Sequence, residues 1–218
     1  MRKKFDEQLA DLHQSLIKMG RAVEYAIGIA NEALINRDCE KAERAIAYDA
    51  EIDNMERDIE SQCLKLILQQ QPVAGDLRLI SAILKMITDL ERVGDHSADI
   101  SEITIMMGHT PFIKKLEHIP RMAGATQRMV SESIQAFVNT DLQLAKKVVD
   151  DDDEVDELFV TVKKELINAI RSDIEKSDQA IDLLMIAKYF ERIGDHATNI
   201  AEWVIFSVTG EHYEGHHH

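Results

Sequence analysis

The chain has 218 residues, of which 40 are acidic and 25 basic, and carries a formal net charge of −15 at pH 7. That length is ample for one domain or two modest ones. The charge argues against a nucleic-acid partner, whose phosphates require clustered Lys and Arg, and disfavours anionic membrane surfaces for the same reason. Cations, basic protein patches and apolar grooves are left as direct partners. Cys39 and Cys63 are the only cysteines and form no CxxC, so buried thiols in a reducing compartment are expected instead of a disulfide framework. No secretory h-region opens the sequence, and no apolar run reaches bilayer length. The expectation is a soluble, cytoplasmic protein without direct membrane insertion. The terminal EGHHH reads as a tag remnant, so His216, His217 and His218 are set aside from metal arguments.

Proline occurs only at 72, 111 and 120, and aromatics make up 5% of the chain. Long segments rich in Ala, Leu, Ile, Met, Glu and Lys predict an all-α protein of six long helices. The first runs from about Phe5 to Asn36, and RDCEKA turns the chain into a second that ends near Gln70. QQPVAGDL opens a third with Pro72 in its first turn, ending near Gly108. Thr110 as cap and Pro111 at the first position restart the chain, with Pro120 kinking or delaying the fourth helix. NTD at 139–141 separates the fourth from the fifth. A break around 171–178 precedes the sixth, which runs through Trp203 towards Gly210.

The two halves repeat each other. INRDCEKAERAIAYDAEIDNME at 35–56 aligns with 138–159 at an offset of 103, and ERVGDH aligns with ERIGDH at an offset of 100. Asp49 and Asp53 therefore match Asp152 and Asp156, while Glu91 and Asp95 match Glu191 and Asp195. A duplicated three-helix unit follows, giving two pseudo-symmetric antiparallel bundles. The expected division is 1–109 and 110–211, with 212–218 as a disordered tail.

On a helical wheel the acids fall where an apolar stripe would otherwise continue. In the third helix Ile80, Leu84 and Ile87 are followed in the same row by Glu91, Asp95, Ala98 and Glu102. In the sixth the row reads Ala180, Leu184, Ala187, Glu191, Asp195, Thr198 and Glu202. Asp49, Asp53, Glu56 and Glu60 make a comparable row on the second helix, and Asp152 and Asp156 begin one on the fifth before Phe159 ends it. Partly buried carboxylates take up protons or need opposite charge beside them. Metal cations, Arg or Lys partners, or open solvent each satisfy that need. Arg92 and Arg192 can pair sideways but cannot neutralise both rows. Oxygen ligands suit Mg²⁺, Ca²⁺, Mn²⁺ and iron. His96 and His196 point away from the acid rows and are weaker ligand candidates. Gly94 and Gly194, inside helices and on the inward side, allow either close helix approach or room beside an ion. DDDDE at 150–154 is for the most part a solvated face.

QQPVAGDLRLISAILKMITDLERVGDH and YFERIGDHATNIAEWVIFSVTGE closely resemble segments of the PhoU family, and the resemblance spans nearly the whole chain. It implies a pair of three-helix bundles with metal sites built from E/D-x-x-x-D pairs. These map onto Asp49/Asp53 with Glu91/Asp95, and onto Asp152/Asp156 with Glu191/Asp195. Iron or zinc, or magnesium or manganese, are the ions it implies. The first copy continues SADIS where the second has the more usual pattern with Asn199; Asp99 and Asn199 are counted with these acids as metal-site candidates, and the extra charge of Asp99 predicts sites unlike in occupancy or metal preference. The function implied is negative regulation of phosphate uptake and of the phosphate-starvation response, linking the ATP-binding subunit of the Pst phosphate transporter to a sensor histidine kinase, commonly as a homodimer. An enzyme is not expected: a carboxylate-bridged di-metal bundle uses E-x-x-H pairs, whereas Glu91 and Glu191 are followed three residues later by glycine. A metal-free acidic scaffold for basic partner surfaces is the other alternative.

Overall fold

In a computed structural model of the chain, residues 2–70 and 72–213 are described. Six helices account for almost all of them: α1 (Arg2–Asn36), α2 (Cys39–Gln70), α3 (Ala74–Met107), α4 (His118–Asn139), α5 (Leu142–Ser172) and α6 (Ser177–Thr209). A single 3-10 turn, Ile174–Lys176, leads into α6, and there is no strand among the described residues. α1, α2 and α3 pack on one another, as do α4, α5 and α6, and the two groups join along α3 against α6 and α1 against α4.

The duplication is visible in the turns. α1 ends with Arg37 at φ +53° and α4 with Thr140 at φ +55°, each in the left-handed region that closes a helix. The next residue is Asp in both repeats, and its backbone N–H donates five residues back, from Asp38 to Ala33 O at 2.9 Å and from Asp141 to Ala136 O at 2.8 Å. The same Asp then caps the following helix: Asp38 Oδ1 accepts from Lys41 N, and Asp141 Oδ1 accepts from Gln143 N and Leu144 N. Such caps satisfy otherwise orphaned N–H groups and stabilise by about 1 kcal/mol each.

α3 and α6 form the centre and run antiparallel. Arg78, near the start of α3, donates to Ser207 O and Val208 O near the end of α6. Leu90 and Phe190, at equivalent positions, are fully buried; removing such side chains from water contributes roughly 2–3 kcal/mol each. Ser97 and Ser101 are buried in α3 where α6 has the buried Ala197 and Ala201. The serine hydroxyls donate to Val93 O and Ser97 O, which leaves these small side chains satisfied at a tight helix contact.

Three expectations change. Pro72 precedes α3 and does not form its first turn, which begins at Ala74. Thr110 and Pro111 start no helix: 110–117 is irregular, and α4 opens at His118 with Pro120 in its first turn, where a missing N–H costs least. The reason is tertiary. The Gln179 side chain accepts from Ile113 N at 2.6 Å and donates to Pro111 O at 3.2 Å, and Lys114 pairs with Glu165, so the segment is held along α5 and α6. Of the two thiols only Cys63 is buried, its pKa pushed up to about 12 by desolvation, while Cys39 is half-exposed at the head of α2.

His212 and Tyr213, at the head of the expected tail, are placed: the His212 ring stacks on Phe206 at 4.5 Å and meets Trp203 edge-on at 5.7 Å. His216–His218, assigned to a tag, lie outside the described residues. No helix among the described residues is long and apolar enough to cross a membrane.

Candidate metal centre

The ERVGDH stretch lies at the middle of α3, where Leu90, Val93 and Gly94 turn into the core and Glu91 and Asp95 stand half-buried at its edge. α2 runs alongside with Ile52 and Ile59 buried, which sets Asp49 and Asp53 towards the same edge. Carboxylate oxygens of Asp49, Asp53 and Asp95 lie within 4.8 Å of one another. The acid rows predict four or more carboxylates converging in each half; here three acids of the first repeat come together.

Gly94 makes the approach. A Cβ there would lie 2.9 Å from Asp49 Oδ1 and 3.1 Å from Ile52 Cδ1, so the glycine serves both close helix packing and the seating of a carboxylate. Asp49 Oδ1 is buried and has no hydrogen-bond partner. Its pKa is raised to about 6, first by desolvation and then by the charges of Asp95, Asp53 and Asp99. The Glu91 carboxyl is raised as well, first by desolvation and then by Asp95, with Asp53 and Glu56 adding to it and Arg92 opposing. Arg92 Nη1 donates to Asp95 at 3.0 Å and its Nε lies 3.5 Å from Glu91, while Arg57 pairs with Asp53 at 3.2 Å. These arginines are more than half exposed and leave Asp49 untouched, so sideways pairing does not neutralise the nest. A buried, unpartnered oxygen facing two further carboxylates is a donor set that fits a hard cation.

The second repeat has the same framework with different charge. A Cβ at Gly194 would lie 2.8 Å from Asp152 Oδ1, and the Asp152 carboxyl is raised to about 7 by desolvation, then Asp195, Asp156 and Glu191. Yet Asp195 is exposed where Asp95 is half-buried, and among the described residues no three acids of this repeat converge as Asp49, Asp53 and Asp95 do. Lys188, absent from the sequence-based candidates, pairs with Glu191. An offset of 100 aligns it with Thr88, and that exchange was the signal available in the sequence.

Asp99 and Asn199 belong mainly to another place, the α3–α6 seam. His96 Nδ1 lies 3.3 Å from Asp99 Oδ2. His196 Nδ1 lies 2.9 Å from Asp89 Oδ1, which also accepts from Asn199 Nδ2 at 3.2 Å. The two imidazoles face each other with centroids 5.5 Å apart, and Tyr189 sits 5.4 Å from His96. Each histidine thus has one carboxylate. For His96 it is Asp99 of its own helix, with Tyr189 across the seam. For His196 it is Asp89 across the seam, with Asn199 on its own helix. The Asp99/Asn199 difference is thus matched by an opposite Asp89/Tyr189 difference across the seam. Desolvation lowers the His96 pKa, with the Asp99 hydrogen bond opposing.

The family model described as PhoU domain matches residues 16–104 and 119–204, once on each repeat. The chain belongs to the PhoU family. A Clostridium acetobutylicum protein described as phosphate-specific transport system accessory protein PhoU homolog is 38% identical over 211 residues, 96% of each chain. An Aquifex aeolicus protein of the same description is 39% identical over 208 residues, covering 95% of this chain and 94% of that one. The crystal structure of PhoU from Pseudomonas aeruginosa superposes with a TM-score of 0.90 at 34% identity, covering 95% of this chain and all of that one. That of the phosphate transport system regulatory protein PhoU from Streptococcus pneumoniae gives 0.89 at 28% identity, covering 96% and 99%. The six-helix, two-bundle architecture is therefore that of the PhoU family.

Proposed function

We propose that this protein is a negative regulator of phosphate uptake and of the phosphate-starvation response. In this reading it is a cytoplasmic, non-catalytic adaptor that joins the ATP-binding subunit of a phosphate transporter to a sensor histidine kinase and works as a homodimer. The observation that carries the reading is similarity over 96% of both chains to an accessory protein of a phosphate-specific transport system.

The same reading makes the adaptor metal-dependent. Asp49, Asp53 and Asp95 hold the ion, with Glu91 at the rim. Asp152, Asp156, Glu191 and Asp195 are the corresponding acids of the second repeat, and Asp99 and Asn199 support the seam beside them. Oxygen-only donors suit magnesium, manganese or iron, and zinc accepts carboxylates as well. A bound ion supplies the positive charge that the buried Asp49 oxygen lacks and clamps α2 to α3.

The test is genetic. In a strain without the gene, phosphate-uptake genes are expected to be expressed in high phosphate, and unchanged repression contradicts the regulatory reading. Complementation with Asp49→Asn/Asp95→Asn separates the alternatives. Failure to restore repression supports a metal-dependent adaptor, and full restoration supports the metal-free scaffold.

A further inference from the structure

The two acidic nests share a backbone framework but not a charge. At the positions of Asp49, Asp53, Glu56, Glu60, Glu91 and Asp95, the second repeat has Asp152, Asp156, Phe159, Lys163, Glu191 and Asp195, and Lys188 stands where the first has Thr88. Thr88 brings no charge: its hydroxyl donates to Leu84 O within its own helix. Lys188, one turn before Glu191, is fixed from two sides. Its ammonium bonds the Glu191 carboxylate and lies 5.4 Å from the centroid of the Phe159 ring, an arrangement attractive to a cation. Glu191 is only 13% exposed, so the pair is formed at the edge of the core and not out in solvent.

We infer that Lys188 is a built-in counter-cation that takes the place of a metal ion in the second repeat, so that the chain has one divalent-cation site, in the first repeat. The inference rests on the reading of the Asp49 nest as a cation site and goes further by assigning the two repeats different occupants. An ammonium already bonded to Glu191 removes one ligand from the second nest. It also repels a divalent ion brought within a few ångströms, strongly so at the low effective dielectric of a half-buried site. Phe159 in place of Glu56 removes another carboxylate and offers its ring to the ammonium. The absence of a three-acid convergence there, among the described residues, agrees with a nest whose charge is supplied internally.

Calorimetric titration of the chelator-stripped full chain with Mn²⁺ tests this. Wild type is expected to bind at one nest only, with Asp152→Asn/Asp195→Asn leaving the stoichiometry unchanged. Thr88→Lys is expected to weaken binding at least tenfold. Lys188→Thr is expected to add a second set of sites that Asp152→Asn/Asp195→Asn then removes, while Lys188→Arg keeps the wild-type stoichiometry. The inference is overturned if Asp152→Asn/Asp195→Asn halves the Mn²⁺ bound by wild type, or if folded Lys188→Thr gains none. Should wild type bind no Mn²⁺ at the Asp49 nest, the metal reading of that nest fails. Gain of binding by Lys188→Thr still supports the role of Lys188 in that case, and no gain overturns it.

Discussion

Gly94 and Gly194 sit inside helices, where glycine costs about 1 kcal/mol relative to alanine, and at each the space of the missing Cβ is taken by a carboxylate oxygen of the neighbouring helix. Gly94→Ala therefore gains helix propensity but pushes on Asp49 and Ile52 together. A net loss of about 1–2 kcal/mol is expected, as for other overpacked sites, with weaker metal binding. Thermal unfolding with and without Mn²⁺ checks both, and a variant more stable than wild type contradicts the close approach. Asp49 and Asp152, raised to about 6 and about 7, also set a pH dependence. Both stand above the ~3.9 of an unfolded aspartate, so the folded chain holds these protons more tightly. Their contribution is fully present below about pH 4 and is lost as pH rises through about 6–7. In chelator, the unfolding temperature is expected to fall between pH 5 and pH 8, less steeply in Asp49→Asn, and metal is expected to reduce the fall. A slope unchanged by Asp49→Asn contradicts the assignment. The shared helix face of the acids was legible in the sequence, because spacing on a helix reports it, but the number that converge, and the difference between the repeats, were not. Nor was the role of Asp99. Its partner His96 is three residues away, but its asymmetry with Asn199 is matched at Asp89, 110 residues away from Asn199 and across the α3–α6 seam.

The helices and their duplication were readable because the breaks between them are chemical. Arg37–Asp38 and Thr140–Asp141 build matching left-handed stops followed by aspartate caps, and the sequence offset of 103 keeps these turns in register. The 110–117 segment resisted the same treatment. Thr110–Pro111 has the composition of a helix start, but the conformation is decided by Gln179 and Glu165, more than 50 residues away. Gln179→Ala removes the acceptor for Ile113 N and the donor to Pro111 O. A loss of about 1–2 kcal/mol follows if those groups stay buried, and less if water reaches them. Hydrogen exchange is expected to quicken across 112–117 while the centres of α3 and α6 keep their protection. Unchanged exchange in that segment means that the glutamine does not hold it.

At the scale of the molecule, two copies of one three-helix unit meet along α3 and α6 so that the ERVGDH and ERIGDH segments cross at His96 and His196. The acids of the first repeat lie between α3 and α2, and their counterparts of the second between α6 and α5. A cation held in the first nest therefore bears directly on how α2 packs against the central helix, and through α3 on the seam between repeats. The central claim is that the half-buried acids of the first repeat are there to hold an ion. Elemental analysis of untagged protein, dialysed without chelator, tests it most directly when wild type is compared with Asp49→Asn/Asp95→Asn. Stoichiometric metal in wild type, lost from a folded double variant, is the predicted result. A wild type free of metal, or a double variant that retains all of it, contradicts the account.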